Sequence, residues 1–512
     1  MTEAPAIPTG PELFFGLIGA LGSPIDELGK ALERALARVA YGAQVIHLSK
    51  HLPELGTDFA IDSSTEDKRI GSAMHAGTLL RERLRTGEAM AWLAVSGIRG
   101  GRGAQPRGRR AFILRSLKHQ AELERLRAVY QDQFIAIAIH APRAQRVDRL
   151  AQQFAASSGG RPDDFRDRAE KLISVDEKEI GTKLGQNVRK IFPEADLFVT
   201  PEDLDAQLDR FVDLLFGRPV VTPSPEEVGM FHAQAAAMRS AALGRQVGAA
   251  IATTAGDVIA TGCNEVPRSG GGQYWDQDDH DGRDFTKGKD QSDHGKRFVL
   301  RELLTALRDS KHLSVTVDID GIVNETLGDT EPPSKLADTA VANLTEFTRD
   351  VHAETAAVLT TARLGIAVRG CILYATTFPC HNCAKHIVAA GIAKVVYREP
   401  YPKSYARDFY TDSIEVDGTR EARVPFVPFK GVSPRRYMQW FAMRRRKGAD
   451  GNVIDWRPAA ALPGSLRKGE DPGQGTRELG VMDELEKALK WLSSGQISPA
   501  SAGSGTAEGG VQ

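Results

Sequence analysis

Three features of this sequence predict a two-domain α/β protein. Short apolar runs alternate with helical patterns from Glu12 to about Thr200, a proline-rich break follows near 217–225, and a second set of strands and helices comes after the break. Alternation of this kind argues for strand–helix units around a mainly parallel sheet. A chain of 512 residues also exceeds one ordinary domain, and its length suits roughly two to four.

The elements fall in order. Strand-like runs occupy 13–19, 45–48, 112–114, 134–139 and 197–199. Leu117, Ala121, Leu123, Leu126 and Val129 have helical spacing. Pro219, Pro223 and Pro225 disfavour continued helix, so the domain boundary is expected there. An alanine-rich helix is expected over 231–243, then strands at 248–253 and 257–262 joined by a turn at Ala255–Gly256. A polar, glycine-rich insertion covers 269–294, and a helix is expected around 298–308. A helix from His352, a strand at 370–374, a helix at 380–390 and a strand at 394–397 complete an α/β sandwich. From about Lys447 the chain reads as a tail. Met482, Leu485, Leu489 and Leu492 mark one short docking helix there, and the composition after Ser493 is that of a disordered end. The expected domains are therefore 12–216, 226–445 and a mostly flexible 446–512.

Composition narrows the class. The chain is 41% hydrophobic and 26% charged, with a formal net charge of −1, as in globular proteins. That balance gives no global argument for a nucleic-acid or membrane partner. No apolar run approaches the roughly 18 residues of a membrane helix, and residues 1–11 lack the basic start and apolar core of a signal peptide. A cytoplasmic location is expected. Four cysteines, Cys263, Cys371, Cys380 and Cys383, are too few for a disulfide framework. The Cys380/Cys383 spacing suits metal or redox chemistry in a reducing compartment.

The strongest signal is His352-Ala353-Glu354 followed by Pro379-Cys380-His381-Asn382-Cys383. A catalytic zinc site keeps three protein ligands and one open position. His352, Cys380 and Cys383 supply an imidazole and two sulfurs. Residues three apart on a helix face the same way, and a helix N-terminus favours the thiolate that binds metal. Zinc lowers the pKa of a water it binds toward about 7. Glu354, outside the ligand set, is placed to accept that proton and pass protons to a base and its departing ammonia. This H-x-E…P-C-x-x-C arrangement marks zinc deaminases. The competing expectations are a redox pair and a structural zinc knot with His381 or His386 as fourth ligand, neither of which gives Glu354 a role. Cys371 reads as a small buried apolar residue.

The stretches 377–385, 390–392 and 395–397, with Val247-Gly248-Ala249 and the Gly262-Cys263-Asn264-Glu265-Val266-Pro267 turn, resemble the deoxycytidylate deaminase pattern over roughly 231–441. The resemblance implies that Asn264 bonds the deoxyribose or base; a turn asparagine bonding local backbone is the alternative. The whole chain, through FFGLIGALGS, AFILRSLKH, GQNVRKIFPEADLFV, RQVGAAI, GCNEVPRSGGGQYW, TTFPCHNCAKHIVAAGI and EPYPKS, resembles the anti-phage dCTP deaminases. That implies a P-loop-NTPase-like parallel-sheet domain joined to a cytidine-deaminase-like α/β/α sandwich. It also implies dCTP and dCMP as substrates, Zn2+ as cofactor, a homo-oligomer, and depletion of dCTP during infection. Lys403 and Arg245 adjoin the matched motifs and suit phosphate pairing; solvated surface charge is the alternative.

In the N-terminal domain Gly16, Gly19, Gly22 and Ser23 follow a strand and precede a helix, where a phosphate-cradling loop belongs. A working P-loop continues Gly-Lys-Ser/Thr, whereas this chain has Pro24, Ile25 and Asp26. No ordinary kinase turnover is expected. Sensing of a regulatory nucleotide and a purely scaffolding turn both remain open. Arg99, Arg102, Arg107, Arg109 and Arg110 form a basic glycine-rich stretch. It reads as an RNA contact or, without interleaved aromatics, as a solvated loop. The aspartates of 274–294 miss calcium-loop spacing at Asp281, so the segment reads as a substrate-side or regulatory loop with His280 and His294 exposed. Two rival functions stay in view: editing of a base within RNA or single-stranded DNA, and non-enzymatic nucleotide sensing.

Overall fold

The computed structural model describes residues 10–102, 108–179, 181–328, 335–344, 346–400, 404–416, 422–442, 445–464 and 471–493. The chain forms two compact units. Unit 1 holds 1–179, 184–191 and 457–512; unit 2 holds 180–183 and 192–456.

Unit 1 is built on strands β1 (Leu13–Ile18), β2 (Gly42–His47), β3 (Arg110–Arg115) and β4 (Phe134–Ile139). They lie side by side in the order β4-β1-β3-β2, every pair parallel. β1 and β4 are buried along their full length, as strands covered on both faces must be. The helix Ile25–Arg38 buries Ile25, Leu28, Leu32, Ala35 and Leu36, the stripe expected of a helix laid on a sheet.

The tail expectation needs correction. A helix, Gln474–Ser493, belongs to unit 1 and starts well before the apolar stripe at Met482. Its buried face runs through Gln474, Glu478, Val481 and Leu485. Glu478 and Glu12, both fully buried, clasp Arg102 with bonds of 2.7–2.9 Å. Arg477 donates to the Val129 carbonyl at 2.7 Å. A buried carboxylate face is invisible to a search for apolar periodicity, which explains the late expected start. The basic stretch is likewise engaged inside unit 1. Arg99 also pairs with Glu478 at 3.4 Å, and Arg109 donates to the carbonyls of Val39, Ala459 and Ala461. Arg107 lies outside the described residues.

In unit 2, β5 (Leu197–Val199) pairs antiparallel with β12 (Gly431–Val432). The main sheet contains β6 (Gly248–Ala252), β7 (Val258–Cys263), β8 (Ile372–Thr377), β9 (Lys394–Glu399), β10 (Ile414–Val416) and β11 (Val424–Pro428). Its order is β10-β11-β9-β8-β6-β7. β6 runs antiparallel to both β7 and β8; the other pairs are parallel. The protein is thus α/β with mostly parallel sheets.

The segment 192–216, expected in the N-terminal domain, belongs to unit 2. Asp196, fully buried, accepts from Arg436 Nε at 2.9 Å, and its carbonyl accepts from the Ser433 amide at 2.9 Å. Phe198 meets Phe429 edge-on, and Phe211 packs on Trp440. The alanine-rich helix also starts earlier than expected, at Pro225, and ends at Ala237. Ser224 and Glu227 form a capping box, and Pro225 sits at the first helical position, where proline is favoured.

The register places helices on both faces of the main sheet. Gly248 pairs with Cys263 and Ala249 with Gly262, so Gly248 and Gly262 point to opposite faces. A Cβ on Gly248 would meet Ala233 O at 1.9 Å, and one on Gly262 would meet Ala353 O and Ala357 N at 2.4 Å. Backbone-close packing therefore seats the Pro225–Ala237 helix on one face and the Ala353–Leu364 helix on the other. No helix among the described residues is long and apolar enough to cross a membrane.

Two stability predictions follow from these contacts. Gly262→Ala should lower stability by about 1–3 kcal/mol through overpacking, read as a drop in Tm. Arg102→Ala strands two buried carboxylates and should cost about 3–5 kcal/mol, read by urea denaturation.

Candidate metal centre

Two helix N-termini meet at the site. His352 is the N-cap of the Ala353–Leu364 helix, and Glu354 lies in its first turn. Cys380 is the N-cap of the His381–Ala389 helix, and Cys383 lies in its first turn. Upstream of Cys380, the Phe378 amide is held by the Glu399 carbonyl at 2.8 Å, and the Ser404 hydroxyl donates to the Pro379 carbonyl at 2.8 Å. The turn that presents both cysteines is thereby tied to β9.

His352 Nδ1 lies 3.3 Å from Cys380 Sγ and 3.5 Å from Cys383 Sγ. A tetrahedral zinc with bonds of about 2.3 Å to sulfur and about 2.0 Å to nitrogen holds such atoms roughly 3.5 Å apart. The three ligand atoms lie within 4.8 Å of one another and are the candidate metal cluster found among the described residues. The donor set therefore fits zinc. His381 is instead directed to Glu346, at 3.5 Å, and packs edge-on against Tyr405 and Phe409. His386 is exposed. Neither supplies the fourth ligand that a structural knot requires.

The electrostatics agree with a cation site. The Cys383 thiol hydrogen-bonds Cys380, which holds the Cys380 thiol far below its usual range and raises that of Cys383. Contact with the Cys380 sulfur lifts His352 to about 9. Glu354 is 4% exposed, and burial pushes its carboxyl above the usual range. Thr355 donates to Cys383 Sγ at 3.5 Å, an outer contact of the kind that tunes a metal ligand.

A cavity of about 320 Å³ opens on this cluster, lined by His352, Glu354, Cys380, Phe378, Asn264 and Arg245, among others. Asn264 accepts from the Val247 amide and donates to the Arg245 carbonyl, both at 2.7 Å. The amide thus braces the turn and keeps one N–H and one lone pair for another partner. Arg245 is paired with Glu399, which also pairs with Arg398. Lys403 lies outside the described residues. The insertion, read from sequence as a substrate-side or regulatory loop, lines the cavity with its helix through Asp284, Asp290, Ser292 and Lys296, joined by Asp350 just before the zinc helix; sequence reasoning singled out none of these residues. Burial and the neighbouring Glu265, Asp284 and Asp290 raise Asp350 to about 6. No motif marks these residues; the polar character of 269–294 was the available signal. His280 and His294 are exposed, as expected.

The cytidine and deoxycytidylate deaminase zinc-binding region matches residues 223–399. This segment is a deaminase zinc-binding domain. It is similar to the deoxycytidylate deaminase of Enterobacteria phage T2, 36% identical over 84 residues, covering 16% of this chain and 44% of the phage protein. The phage T4 deoxycytidylate deaminase is 46% identical over 55 residues, covering 11% of this chain and 28% of the relative. The Homo sapiens protein of that name is 30% identical over 111 residues, covering 22% of this chain and 56% of the relative. The chain therefore spans less than two thirds of each of these relatives.

The deaminase zinc-binding domain is preceded by the glycine loop of unit 1, which the structure arranges differently from a phosphate cradle. Gly16 is inside β1, and a Cβ there would meet Leu117 and Phe134 at 2.7 Å. It is a strand residue rather than a loop residue, because β1 runs on to Ile18. Gly19 and Gly22 are closed over by Ile25 and by the Arg146 backbone. Ser23 closes a turn onto the Ala20 carbonyl at 2.9 Å. The Leu21 amide donates to Asp176 Oδ2 at 2.7 Å, and Asp176 Oδ1 lies 2.7 Å from Lys118 Nζ. A buried carboxylate thus takes the loop amide that a phosphate would need. Gly19, Gly22 and Ser23 nevertheless border a cavity of about 510 Å³.

Two measurements check this subsection. Elemental analysis should find one zinc per deaminase domain, reduced to trace levels in Cys383→Ser. Incubation with ATP and deoxynucleosides should give no transfer of the γ-phosphate, and measurable transfer would contradict the loop geometry.

Proposed function

We propose that this protein hydrolyses the exocyclic amine of deoxycytidine nucleotides, dCTP and dCMP, to give deoxyuridine nucleotides and ammonia. The observation that carries this reading is the buried Glu354 beside the imidazole and two sulfurs at the floor of a nucleoside-sized cavity. A structural or sensing site needs no proton carrier there. Zinc, held by His352, Cys380 and Cys383, supplies Lewis acidity that activates water near neutral pH.

Glu354 does the proton work. Its carboxylate accepts a proton as water adds to C4 of cytosine, delivers one to ring N3 and carries one to the departing amine. A carboxyl raised by burial suits both halves of that shuttle. Asn264 bonds the sugar or base with its remaining N–H and lone pair. Arg245 and Lys403 adjoin the matched motifs and are candidates for phosphate pairing, which for Arg245 requires leaving Glu399. The choice of dCTP and a role in draining the dCTP pool against phage rest on the resemblance of the motifs along the whole chain. A P-loop-like origin for unit 1 is supported by its parallel β4-β1-β3-β2 order. Regulation through unit 1 and homo-oligomerisation belong to the same proposal.

Chromatography of dCMP and dCTP after incubation with pure protein tests the reaction. Conversion to dUMP or dUTP is expected, lost on chelation and restored by zinc. Glu354→Gln should lower turnover about 10²–10⁴-fold with zinc content unchanged. Intact turnover in that variant, or faster deamination of an oligonucleotide than of free nucleotide, would overturn the reading.

A further inference from the structure

The cavity wall facing the zinc cluster is rich in acids, and most of them are already engaged. Asp290 caps the Gln291–Asp309 helix by accepting from the Ser292 and Asp293 amides at 2.7 and 3.3 Å. Asp284 is held by Arg349. Glu265, 1% exposed, accepts from the Ala241 and Val266 amides at 2.8 and 2.9 Å. Two cationic side chains outside the metal cluster line the same cavity, Arg245 and Lys296. Arg245 is ion-paired with Glu399. Lys296 makes no ion pair or side-chain hydrogen bond among the described residues.

The placement of Lys296 is not accidental to one rotamer. Ser292 and Lys296 are four residues apart on one helix and both line the cavity, so the first two turns of the helix present one face to it. The helix is anchored at that end by its Asp290 cap. Of the acids that share this cavity, Asp284 is held by Arg349 and Asp290 by the helix amides it caps, so the Lys296 ammonium is left available to a bound anion.

We infer that Lys296 is a phosphate-binding, specificity-determining residue, which makes the cavity select nucleotides over the free nucleoside. The inference rests on the deaminase reading above and deepens it: the base sits over Glu354 and the zinc ligands, and the phosphate reaches the insertion helix. An ammonium is a compact point charge with rotatable donors, able to follow one phosphate or the chain of a triphosphate. The specificity element is then a segment outside the zinc motif, carried by a helix the motif does not predict.

The test compares wild type, Lys296→Gln and Lys296→Arg on dCMP, dCTP and deoxycytidine. Loss of one charge-assisted contact should raise KM for both nucleotides about 10–100-fold with kcat held, leave deoxycytidine turnover unchanged, and flatten the dependence of KM on ionic strength. Lys296→Arg should restore most of the nucleotide preference. Equal effects on nucleotide and nucleoside, or no change in KM, overturn the inference. Calorimetric binding of dCMP separates the two claims. If wild type deaminates nothing yet binds dCMP, and Lys296→Gln loses that binding, the phosphate contact stands and the reaction falls. Unchanged dCMP binding in the variant removes the phosphate contact whatever the reaction.

Discussion

Everything at the centre of unit 2 depends on two helices starting at the same point. His352 and Cys380 are both N-cap residues, and Cys383 and Glu354 occupy first turns. The unsatisfied amides of helix N-termini carry partial positive charge, which favours sulfur in its thiolate form. Where two such ends meet, the Cys380 thiol is held far below its usual range by its bond from Cys383, whose own thiol is raised by the same bond. The same convergence brings Glu354 inside, where burial raises its proton affinity. Chemistry and fold are thus set by one geometric constraint.

That convergence is held by backbone proximity. Gly262 lets the Ala353–Leu364 helix approach β7 until its carbonyls and amides nearly touch the strand, and no side chain would permit it. Ala249, Ile251, Leu373, Ala375, Val395 and Tyr397 fill the same face of the sheet and meet Cys380, Cys383 and Ile387 in one core. The two cysteine ligands are part of that core. A domain whose metal site is also its hydrophobic centre couples ligand position to overall stability.

Unit 1 uses charge differently. Arg102, Glu12 and Glu478 form a buried ionic clasp between segments far apart in sequence, and Asp176 with Lys118 closes the glycine loop. Buried pairs of this kind specify an arrangement more than they stabilise it. They also account for residues whose contacts the sequence leaves open. Glycines 16, 19 and 22 suggested a phosphate loop, yet each is required by a neighbouring side chain or backbone segment. The arginines of 99–110 suggested a solvated or RNA-facing loop, yet those described are bonded inside the unit. A cation in a sequence carries no label for its partner.

The sequence by itself determined the His352, Cys380 and Cys383 cluster, the buried carboxylate of Glu354 beside it and the α/β sandwich around them. Their spacing is local: a ligand and a carboxylate two apart, two sulfurs three apart, and strands whose apolar runs fold beside them. Only the tertiary structure decided which unit owns 192–216 and 457–493, that Glu478 is buried, that Pro225 opens a helix within the expected break, and that Lys296 faces the zinc cavity. Those outcomes depend on pairings across tens to hundreds of residues. Polar side chains make them through burial and charge neutralisation, which leave no periodic trace along the chain.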